Sequence, residues 1–202
     1  MSISARESLN KLREEVIQCK KCQDLVKTRR SPVAGIGAPN ARVIILGYYP
    51  SEGAEAGVTP YTGDDTGNLI RKCLDKVDLS LEKDIYLTYM VKCIPRNVDL
   101  TITIPRAEHI NNCFPFLSRE ISITTPHLII SLGFDTSIYL LDNFFSLQIK
   151  YKNMNELHMK IFENPSFKVV SFRDPKEVIA GAFPEEKYVE DFQSLSKLFE
   201  VV

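Results

Sequence analysis

The sequence predicts an α/β protein of three layers, α/β/α, with a central, mainly parallel four-stranded sheet covered by helices on both faces. Short, continuously apolar runs recur along the chain, as is typical of strands that are buried on both sides. They alternate with stretches that show the 3.6-residue apolar period of helices. Glycine and proline separate the two kinds of segment, which favours one alternating α/β arrangement.

The strands are predicted at four apolar runs, which are residues 42–46, 84–91, 128–132 and 168–172. The first run breaks at Gly47 into a long loop that ends at Gly63 and carries glycines, prolines, acids and tyrosines. In an open α/β sheet, ligands bind outside the carboxyl ends of the strands. The loop over residues 47–63 is therefore the first place where the sequence predicts a functional site.

The helices are predicted from their caps and their apolar faces. Ser4 and Glu7 form a capping box at the start of the first helix. Further helices are expected from a cap at Thr66, over residues 105–122, from a cap at Asp135 to residue 141, and over residues 184–199. A hairpin is expected around residues 147–154. We expect residues 1–202 to form a single domain, with residues 1–30 as an N-terminal helix and a cysteine-bearing segment.

Composition sets limits on the class of protein. The chain has 202 residues, of which 44% are hydrophobic and 25% charged, as expected for one globular domain. It contains no apolar run long enough to span a membrane and no secretory signal, so a cytoplasmic protein is expected. With a net charge of -1, nucleic-acid binding needs a local patch. Residues 20–30 contain five basic residues and one acidic residue. Lys27, Arg29 and Arg30 are the candidate DNA contacts.

Four of the five cysteines have a joint interpretation as metal ligands. Cys19 and Cys22 form a CxxC pair, Cys93 follows the second strand, and Cys113 lies in the next helix. Without a signal peptide, cysteines favour metal binding or reactive thiols over disulfides. Four thiolates suit zinc or an iron–sulfur cluster, and the spacing does not decide between them. The alternative is that Cys93 and Cys113 are buried apolar residues, as Cys73 in its amphipathic helix is expected to be.

Five stretches in order resemble the iron–sulfur uracil-DNA glycosylases, known as family 4. These are CKKCQDL (19–25), GIGAPNARVIILGYYPSEGAEAGVTPYTG (35–63), TYMVKCIP (88–95), CFPFLSREI (113–121) and HLIISLG (127–133). The resemblance implies the uracil-DNA glycosylase fold, DNA as a partner inside the cell, and a role in base excision repair. It also implies a 4Fe–4S cluster on Cys19, Cys22, Cys93 and Cys113, with zinc as the alternative.

The departures from the family fall on its chemistry. Tyr48 replaces the glutamate that helps to position the attacking water, and Tyr89 replaces the asparagine that reads the uracil edge. Tyr61 replaces a stacking phenylalanine, and Asp174 with Pro175 best matches the histidine-proline motif that stabilises the departing uracil. A positioned acid or base contributes about 10²- to 10⁴-fold in rate, and a charge-stabilising donor contributes about 10²- to 10³-fold. Ordinary uracil excision is therefore predicted to be weak or absent.

Three functions remain open at this point. The first is DNA binding in repair or damaged-base recognition, with tyrosines stacking on single-stranded or damaged bases. The second is a glycosylase of altered specificity, with an aromatic slot for another flipped base. The slot would consist of Tyr48, Tyr49, Tyr61 and Tyr89, and water would be activated by Asp174, Glu52 or Glu55. The third is a subunit that binds a protein partner in a repair or replication complex.

Several residues have competing interpretations. Tyr48 and Tyr89 could instead fill the former pocket as core residues. Arg173 and Lys176 flank Asp174 on the loop that, in the family, enters the DNA minor groove, where they would contact phosphate or remain solvated. The remaining expectations concern residues outside the site: a solvent-facing His109, a surface charge at Lys92, and a loop-to-helix junction at Asp64 and Asp65.

Overall fold

The computed structural model describes residues 4–145 and 150–199 of the chain. Within them, six strands form a sheet in the order β1-β3-β2-β4-β6-β5. The strands are β1 (Ile36–Gly37), β2 (Val43–Gly47), β3 (Ile85–Tyr89), β4 (Leu128–Leu132), β5 (Ile161–Glu163) and β6 (Lys168–Phe172). The central four strands pair in parallel, and the short edge strands β1 and β5 pair antiparallel. The predicted parallel core is confirmed, and the two edge strands were not predicted.

The helices of the described ranges connect and cover these strands. They are α1 (Ala5–Ile17), α2 (Gln23–Thr28), α3 (Glu52–Gly57), α4 (Asp65–Leu74), α5 (Ala107–Thr124), α6 (Phe134–Phe145), α7 (Met154–Leu157), α8 (Pro175–Ile179), α9 (Glu185–Ser194) and α10 (Ser196–Phe199). The capping box of Ser4 and Glu7 is present at α1. No helix in the described part of the chain is long and apolar enough to cross a membrane.

Alternate side chains of the strands face opposite layers of helices. Val43 and Ile45 pack with buried residues of α4, α8 and α9. Ile44 and Leu46 pack with buried residues of α1, α5 and α6. Both faces of the sheet are thus apolar and covered, which explains the continuous apolar runs in the sequence. The predicted three-layer α/β/α architecture is confirmed.

The bounds of several helices differ from the prediction. Asp64 caps α4, because its Oδ1 accepts the backbone N–H of Gly67 at 3.1 Å, so Thr66 lies inside the helix. Asp135 lies in the first turn of α6 and is not its cap. The closing helix is divided at Leu195 into α9 and α10. The residue at which a helix begins or ends depends on short-range capping hydrogen bonds. The spacing of apolar residues does not show where these bonds form.

The predicted hairpin at residues 147–154 falls partly outside the described residues. Its residues 150–153 form no strand, and α7 begins at Met154. The antiparallel pairing in this region lies further along the chain, where β5 pairs with β6 and Ile161 is opposite Val170. The sequence of residues 150–163 lacks the strict alternation that identifies a hairpin.

A buried ion pair links β3 to α5. The Nζ atom of Lys92 lies 2.7 Å from Oε2 of Glu120, and their side chains are 2% and 1% exposed. The same Nζ donates to Oγ1 of Thr88 at 2.6 Å and to the carbonyl oxygen of Tyr89 at 2.7 Å. All three donors of the ammonium are therefore used. The expectation that Lys92 is a surface charge is wrong, because its side chain turns inward between the sheet and α5.

Candidate functional site

A narrow cavity lies where the four parallel strands end. It is lined by residues at or just after the ends of β2, β3, β4 and β6, by part of the loop after β2 and by the start of α4: Gly47, Tyr48, Tyr49, Ser51, Tyr61, Thr66, Tyr89, Leu132, Asp174, Pro175 and Lys176. This is the edge of the sheet at which the sequence predicted a site. The accessible volume is only about 10 Å³. That is about the room that one water molecule needs.

Tyr61 and Tyr89 occupy most of the space that a larger cavity would offer. Their ring centroids are 4.9 Å apart with an interplanar angle of 35°. The Tyr89 hydroxyl oxygen accepts the backbone N–H of Tyr61 at 3.1 Å. The two residues are 5% and 3% exposed. They pack as core residues against the sheet, so a nucleobase cannot enter unless one of the rings moves.

The Tyr61 hydroxyl is held in an unusual environment. It is buried and has no hydrogen-bond partner among the described residues, and burial raises the pKa of Tyr61 far above its ordinary value. A Cβ atom added at Gly47 would lie 2.3 Å from this hydroxyl oxygen and 3.0 Å from Cδ1 of Tyr89. Glycine is therefore required at residue 47 while both tyrosines are present, because any side chain would collide with them.

Tyr48 and Tyr49 form the half-buried rim of the cavity. Their ring centroids are 5.7 Å apart. Burial, with a smaller contribution from Asp135, raises the pKa of Tyr48 to about 12. Burial also raises the pKa of Tyr49, and Nζ of Lys176 lies 3.8 Å from the centre of the Tyr49 ring. The two rim tyrosines are thus un-ionised at neutral pH, and the amino group of Lys176 lies over the Tyr49 ring.

Asp174 places a carboxyl group in the wall of the cavity. It is the N-cap of α8, and its Oδ1 accepts the backbone N–H of Lys176 at 2.8 Å. Burial raises the pKa of Asp174, and the charge of Lys176 opposes this effect. Burial in turn lowers the pKa of Lys176. The carboxyl can therefore hold or accept a proton at a higher pH than an exposed aspartate.

Replacing Asp174 by asparagine should stabilise the protein at neutral pH. Because the folded pKa lies above the unfolded one, the folded state binds the proton more tightly, and stability falls as pH rises between the two values. Asparagine keeps the capping oxygen and does not ionise. The stabilisation should be present above this pH range and vanish below it. Thermal unfolding from pH 3 to pH 8 measures it, and a constant difference at all pH values would contradict it.

The two predicted glutamates lie away from the cavity lining. The Glu55 carboxylate is buried and accepts hydrogen bonds from both Nη atoms of Arg96, at 3.1 and 2.8 Å. It also accepts the backbone N–H of Arg30 at 3.1 Å. Glu52 is exposed and lies 3.5 Å from Arg96. Glu55 thus joins α3 to the basic segment and to the chain after Cys93, as a positioning residue.

The predicted DNA contacts differ in how free their side chains are. Lys27 and Arg30 are exposed. Arg29 turns inward, donating to Sγ of Cys93 at 3.0 Å and to the carbonyl oxygen of Cys19. Arg173 pairs with Glu177 at 2.7 Å, and its guanidinium lies 4.4 Å from the centre of the Phe183 ring. Lys27, Arg30 and Lys176 are therefore the members of the set whose charge faces outward or toward the cavity rim.

The four predicted ligand cysteines come together on the face of the sheet opposite α4. Cys22, Cys93 and Cys113 are buried and Cys19 is half-buried. Burial raises the pKa of Cys93 to about 12 and that of Cys113 to about 11, and the charge of Cys19 adds to both effects. Among the described residues, no three His, Cys, Asp or Glu side chains are arranged to bind a metal ion. The thiols are neighbours without forming a compact single-ion site.

Several N–H groups point at these sulfur atoms. Arg29 donates to Cys93, and the Nδ2 atom of Asn112 lies 3.5 Å from Sγ of Cys22. The backbone N–H of Lys92 donates to Cys113 and lowers its pKa against the effect of burial. Hydrogen bonds of this kind stabilise thiolate charge and tune iron–sulfur centres.

His109 is buried, so the expectation that it faces solvent is wrong. Its Nδ1 accepts the backbone N–H of Arg106 at 3.2 Å, and its Nε2 lies 2.9 Å from Oδ2 of Asp24. This pattern makes Nε2 the donor to the carboxylate. The contact fixes α2 to the start of α5. The outward position was expected because four cysteines already satisfy a cluster, but the acid on α2 holds the imidazole inward.

Sequence reasoning missed Arg96 and Asn112, which hold the loop glutamate and a cysteine sulfur. It also did not anticipate that Thr66 would line the cavity. Their partners are distant in sequence, with Glu55 and Arg96 separated by 41 residues. No local pattern signals such pairs. Only the ordered arrangement of the strands brings them together.

Comparison with known proteins defines the class to which this fold belongs. Residues 34–192 match the Uracil DNA glycosylase superfamily, and the chain belongs to that superfamily. More particularly, it is 30% identical over 205 residues to the type-4 uracil-DNA glycosylase of Sulfurisphaera tokodaii, covering 92% of this chain and 90% of that enzyme. It is 28% identical to the type-4 enzyme of Archaeoglobus fulgidus, covering 95% of this chain and 94% of that enzyme.

A second group of relatives is similar over a shorter stretch. The type-5 uracil-DNA glycosylase of Pyrobaculum aerophilum is 27% identical over an alignment of 146 positions, which covers 58% of this chain and 62% of that enzyme. The similarity to the type-4 enzymes extends over nearly the whole chain. The resemblance found in the five sequence stretches is thereby confirmed at the level of the family.

Proposed function

We propose that this protein binds DNA in repair or damaged-base recognition and excises uracil weakly or not at all. The filled cavity is the observation that supports this proposal. About 10 Å³ is accessible, whereas the glycosylase reaction requires a flipped base to enter a pocket. Tyr61 and Tyr89 are held there by ring contact and a hydrogen bond, as core residues are.

The chemistry of the cavity wall supports the same function. Tyr48 and Tyr89 offer hydroxyl groups in place of the carboxylate and the amide that the family resemblance implies. Ionised Asp174 would repel the anionic uracil that leaves in the excision reaction. None of these three groups supplies what hydrolysis of the glycosidic bond of deoxyuridine needs at that position.

The exposed cations support binding to the DNA backbone. Lys27 and Arg30 are exposed on the basic segment. The Arg30 backbone is attached to the cavity loop through Glu55. Lys176 lies on the rim beside Tyr49. Phosphate contacts of this kind give binding that depends on salt and little on sequence.

Binding and turnover measured on the same fluorescent oligonucleotides test the proposal. We expect duplexes with and without uracil to bind, with affinity that falls steeply as salt rises. We expect release of uracil at least about 10⁴-fold below that of a type-4 enzyme in parallel. Replacing Lys27 and Arg30 together by glutamine should reduce the salt dependence. Release at the rate of the type-4 enzyme would refute the proposal.

We also propose that Cys19, Cys22, Cys93 and Cys113 hold a 4Fe–4S cluster, with zinc as the alternative. Four thiols and their N–H donors fit such a group. Zinc needs four ligands at about 2.3 Å from one ion, which is a more compact arrangement than these thiols show. When bound, the group would cross-link the N-terminal segment to the chain after β3 and to α5. Its role would then be structural.

Replacing Cys93 by serine should remove the bound metal and destabilise the N-terminal segment. Cys73 is the matched control, because it is buried in α4 within the opposite helical layer. Iron, sulfide and zinc should be measured in anaerobically prepared protein of both variants, together with thermal unfolding. In wild type and in Cys73→Ser we expect equal amounts of iron and sulfide, as a 4Fe–4S cluster requires. In Cys93→Ser we expect little of either. Full metal content in Cys93→Ser would contradict the ligand set.

A second candidate function is a glycosylase with altered base specificity. The observation that favours it is the raised pKa of Asp174 in the cavity wall, which suits an acid or base. Single-turnover assays with hypoxanthine, xanthine and alkylated bases, in single and double strands, test this candidate. Release of one such base by wild type, lost in Asp174→Asn, would support it. No release from any substrate would exclude it for that panel.

A further inference from the structure

An exposed hairpin stands beside the cavity. Residues 96 and 102 form an antiparallel bridge, and the N–H of Asn97 donates to the carbonyl oxygen of Thr101 at 2.9 Å. At the tip, the N–H of Leu100 donates to the carbonyl oxygen of Asn97 at 3.0 Å. The base is held by Arg96 in its buried pair with Glu55. The hairpin is therefore preorganised, although it projects from the body of the protein.

The hairpin presents aliphatic side chains to solvent. Val98 is 98% exposed, and Leu100, Ile102 and Ile104 are 61%, 47% and 69% exposed. In the sequence VDLTITI the apolar residues alternate with polar ones, so that four exposed aliphatic side chains fall within seven residues at the tip and on the returning arm of the hairpin. We call these four side chains the aliphatic wedge. Clustered exposed aliphatic groups of this kind mark interaction sites, whereas single ones need no explanation.

Folding alone does not favour leucine at the tip. Leu100 has a φ of 68°, which is in the left-handed region that glycine and asparagine adopt most easily. Its side chain packs on little, because most of it is exposed. A strained residue with an exposed apolar side chain gains nothing in stability from its identity. Strain of this kind is a reason to look for function.

The aliphatic wedge and the cavity lie on one continuous surface. A groove beside the cavity is lined by Tyr49, Ser51 and Lys176, which also line the cavity itself. The same groove is lined by Ile102 from the hairpin and by Ile179 from the end of α8. Ile179 is itself 46% exposed. A DNA duplex that approaches Lys176 and the tyrosine rim would therefore meet the hairpin as well.

We propose that the aliphatic wedge inserts into duplex DNA at a position where a base is missing or unstacked. This inference rests on the proposed DNA-binding function and names its ligand class, a duplex with an abasic or unpaired position. Apolar side chains can enter the base stack at a cost in unstacking. That cost is smallest where a base is already absent, so binding to such a site is favoured. The closed cavity is compatible with this role, because no base has to enter it.

The size and charge of the wedge favour DNA over a protein partner. Stable protein interfaces bury about 800 Å² on each partner, which four aliphatic side chains on a narrow hairpin do not provide. Residues 97–105 include one charged residue, Asp99, and its carboxylate accepts hydrogen bonds from the N–H and hydroxyl of Thr101. The tip therefore presents no cation to phosphate. Its four aliphatic side chains match the uncharged faces of bases, and the Asp99 carboxylate is hydrogen-bonded to Thr101.

Fluorescence anisotropy with three probes tests the inference. The probes are an intact duplex, the same duplex with one tetrahydrofuran abasic analogue, and the single strand that carries the analogue. The variants are Leu100→Gly and Val98→Ser. Ile161→Ser is the matched control, since Ile161 is 48% exposed on the edge strand β5. Leu100→Gly should unfold at about the wild-type temperature, because glycine accepts the φ of residue 100 without strain.

We expect wild type and the control to bind the abasic duplex about tenfold tighter than the intact duplex. Leu100→Gly and Val98→Ser should lose most of this preference while they retain binding to the intact duplex. With 2-aminopurine next to the analogue, fluorescence should rise on binding of wild type and much less with Leu100→Gly. These results would support the wedge.

Three outcomes would overturn the inference, and they differ in what else they affect. An equal preference for the abasic duplex in wild type and both hairpin variants would refute the role of the aliphatic wedge and leave the DNA-binding function intact. Unchanged DNA binding with an altered molecular mass of Leu100→Gly in solution would assign the hairpin to a protein contact. Failure of wild type to bind any of the three probes would refute the DNA-binding function as well.

Discussion

Four substitutions in the cavity should give this protein uracil excision about 10²- to 10⁴-fold above its wild-type level. Tyr61→Phe and Tyr89→Asn open the cavity, and Tyr48→Glu with Asp174→His supply the groups that the family resemblance implies. The expected gain in rate requires both room for the flipped base and the groups that hydrolyse its glycosidic bond. Single-turnover release of uracil from a fluorescent duplex measures it.

The first pair of substitutions acts on the space. Removing the Tyr89 ring vacates volume beside Tyr61, where the centroids are now 4.9 Å apart. Tyr61→Phe removes a buried hydroxyl that has no partner, and such a group costs about 1–3 kcal/mol. This gain in stability should offset part of the packing energy that is lost when asparagine replaces Tyr89. Asparagine also offers the paired donor and acceptor that a uracil edge requires.

The second pair acts on the chemistry and provides the control. Tyr61→Phe/Tyr89→Asn alone should bind uracil-containing duplex without releasing the base, because no group positions water or stabilises the leaving anion. Adding glutamate at residue 48 and histidine at residue 174 should produce release. If the two-residue variant releases uracil as fast as the four-residue variant, the roles assigned to Tyr48 and Asp174 are wrong.

Replacing Lys92 by methionine should lower the free energy of unfolding by about 3–5 kcal/mol. The substitution leaves the Glu120 carboxylate buried, 1% exposed, without a counter-charge. Native proteins are stable by only about 5–15 kcal/mol, so this loss is a large share of the total. Urea unfolding followed by circular dichroism measures it.

Two variants separate the buried pair from general effects of charge. Lys92→Met/Glu120→Gln should recover more than half of the loss, because glutamine is neutral and can accept from one of the Thr88 and Tyr86 hydroxyls and donate to the other. Lys72→Met removes an exposed lysine paired with Glu185, and it should change stability little. Equal losses for Lys92→Met and Lys72→Met would show that burial of the pair is energetically unimportant.

The sequence predicted the layers of this fold because the relevant signals are local. Four apolar runs became β2, β3, β4 and β6, and alternate residues such as Ile44 and Ile45 face opposite layers. The edge strand β1 has two residues, and β5 has three with exposed ends. Segments this short have no measurable period, so only pairing with a neighbouring strand identifies them.

The position of the site in the fold was predictable from the sequence, whereas the contacts of its side chains were less so. The rule for strand ends located the cavity, and the tyrosines of the loop line it. The direction of charged side chains was not predictable. Glu55 and Arg29 were candidates for catalysis and DNA contact, and they form buried contacts with Arg96 and Cys93 instead. Ion pairs between distant segments depend on the finished fold and leave no trace in local sequence.

Gly47 links the possible amino-acid changes in the cavity to one another. A Cβ at residue 47 would lie 2.3 Å from the Tyr61 hydroxyl oxygen, a clash that phenylalanine at residue 61 would remove. Alanine at residue 47 should thus be far less harmful beside phenylalanine than beside tyrosine, which is epistasis between the two positions. An evolutionary path that changes residue 47 first, with tyrosine still at 61, is therefore disfavoured. Changes that reopen this cavity should begin at residue 61 or 89, whose rings fill it.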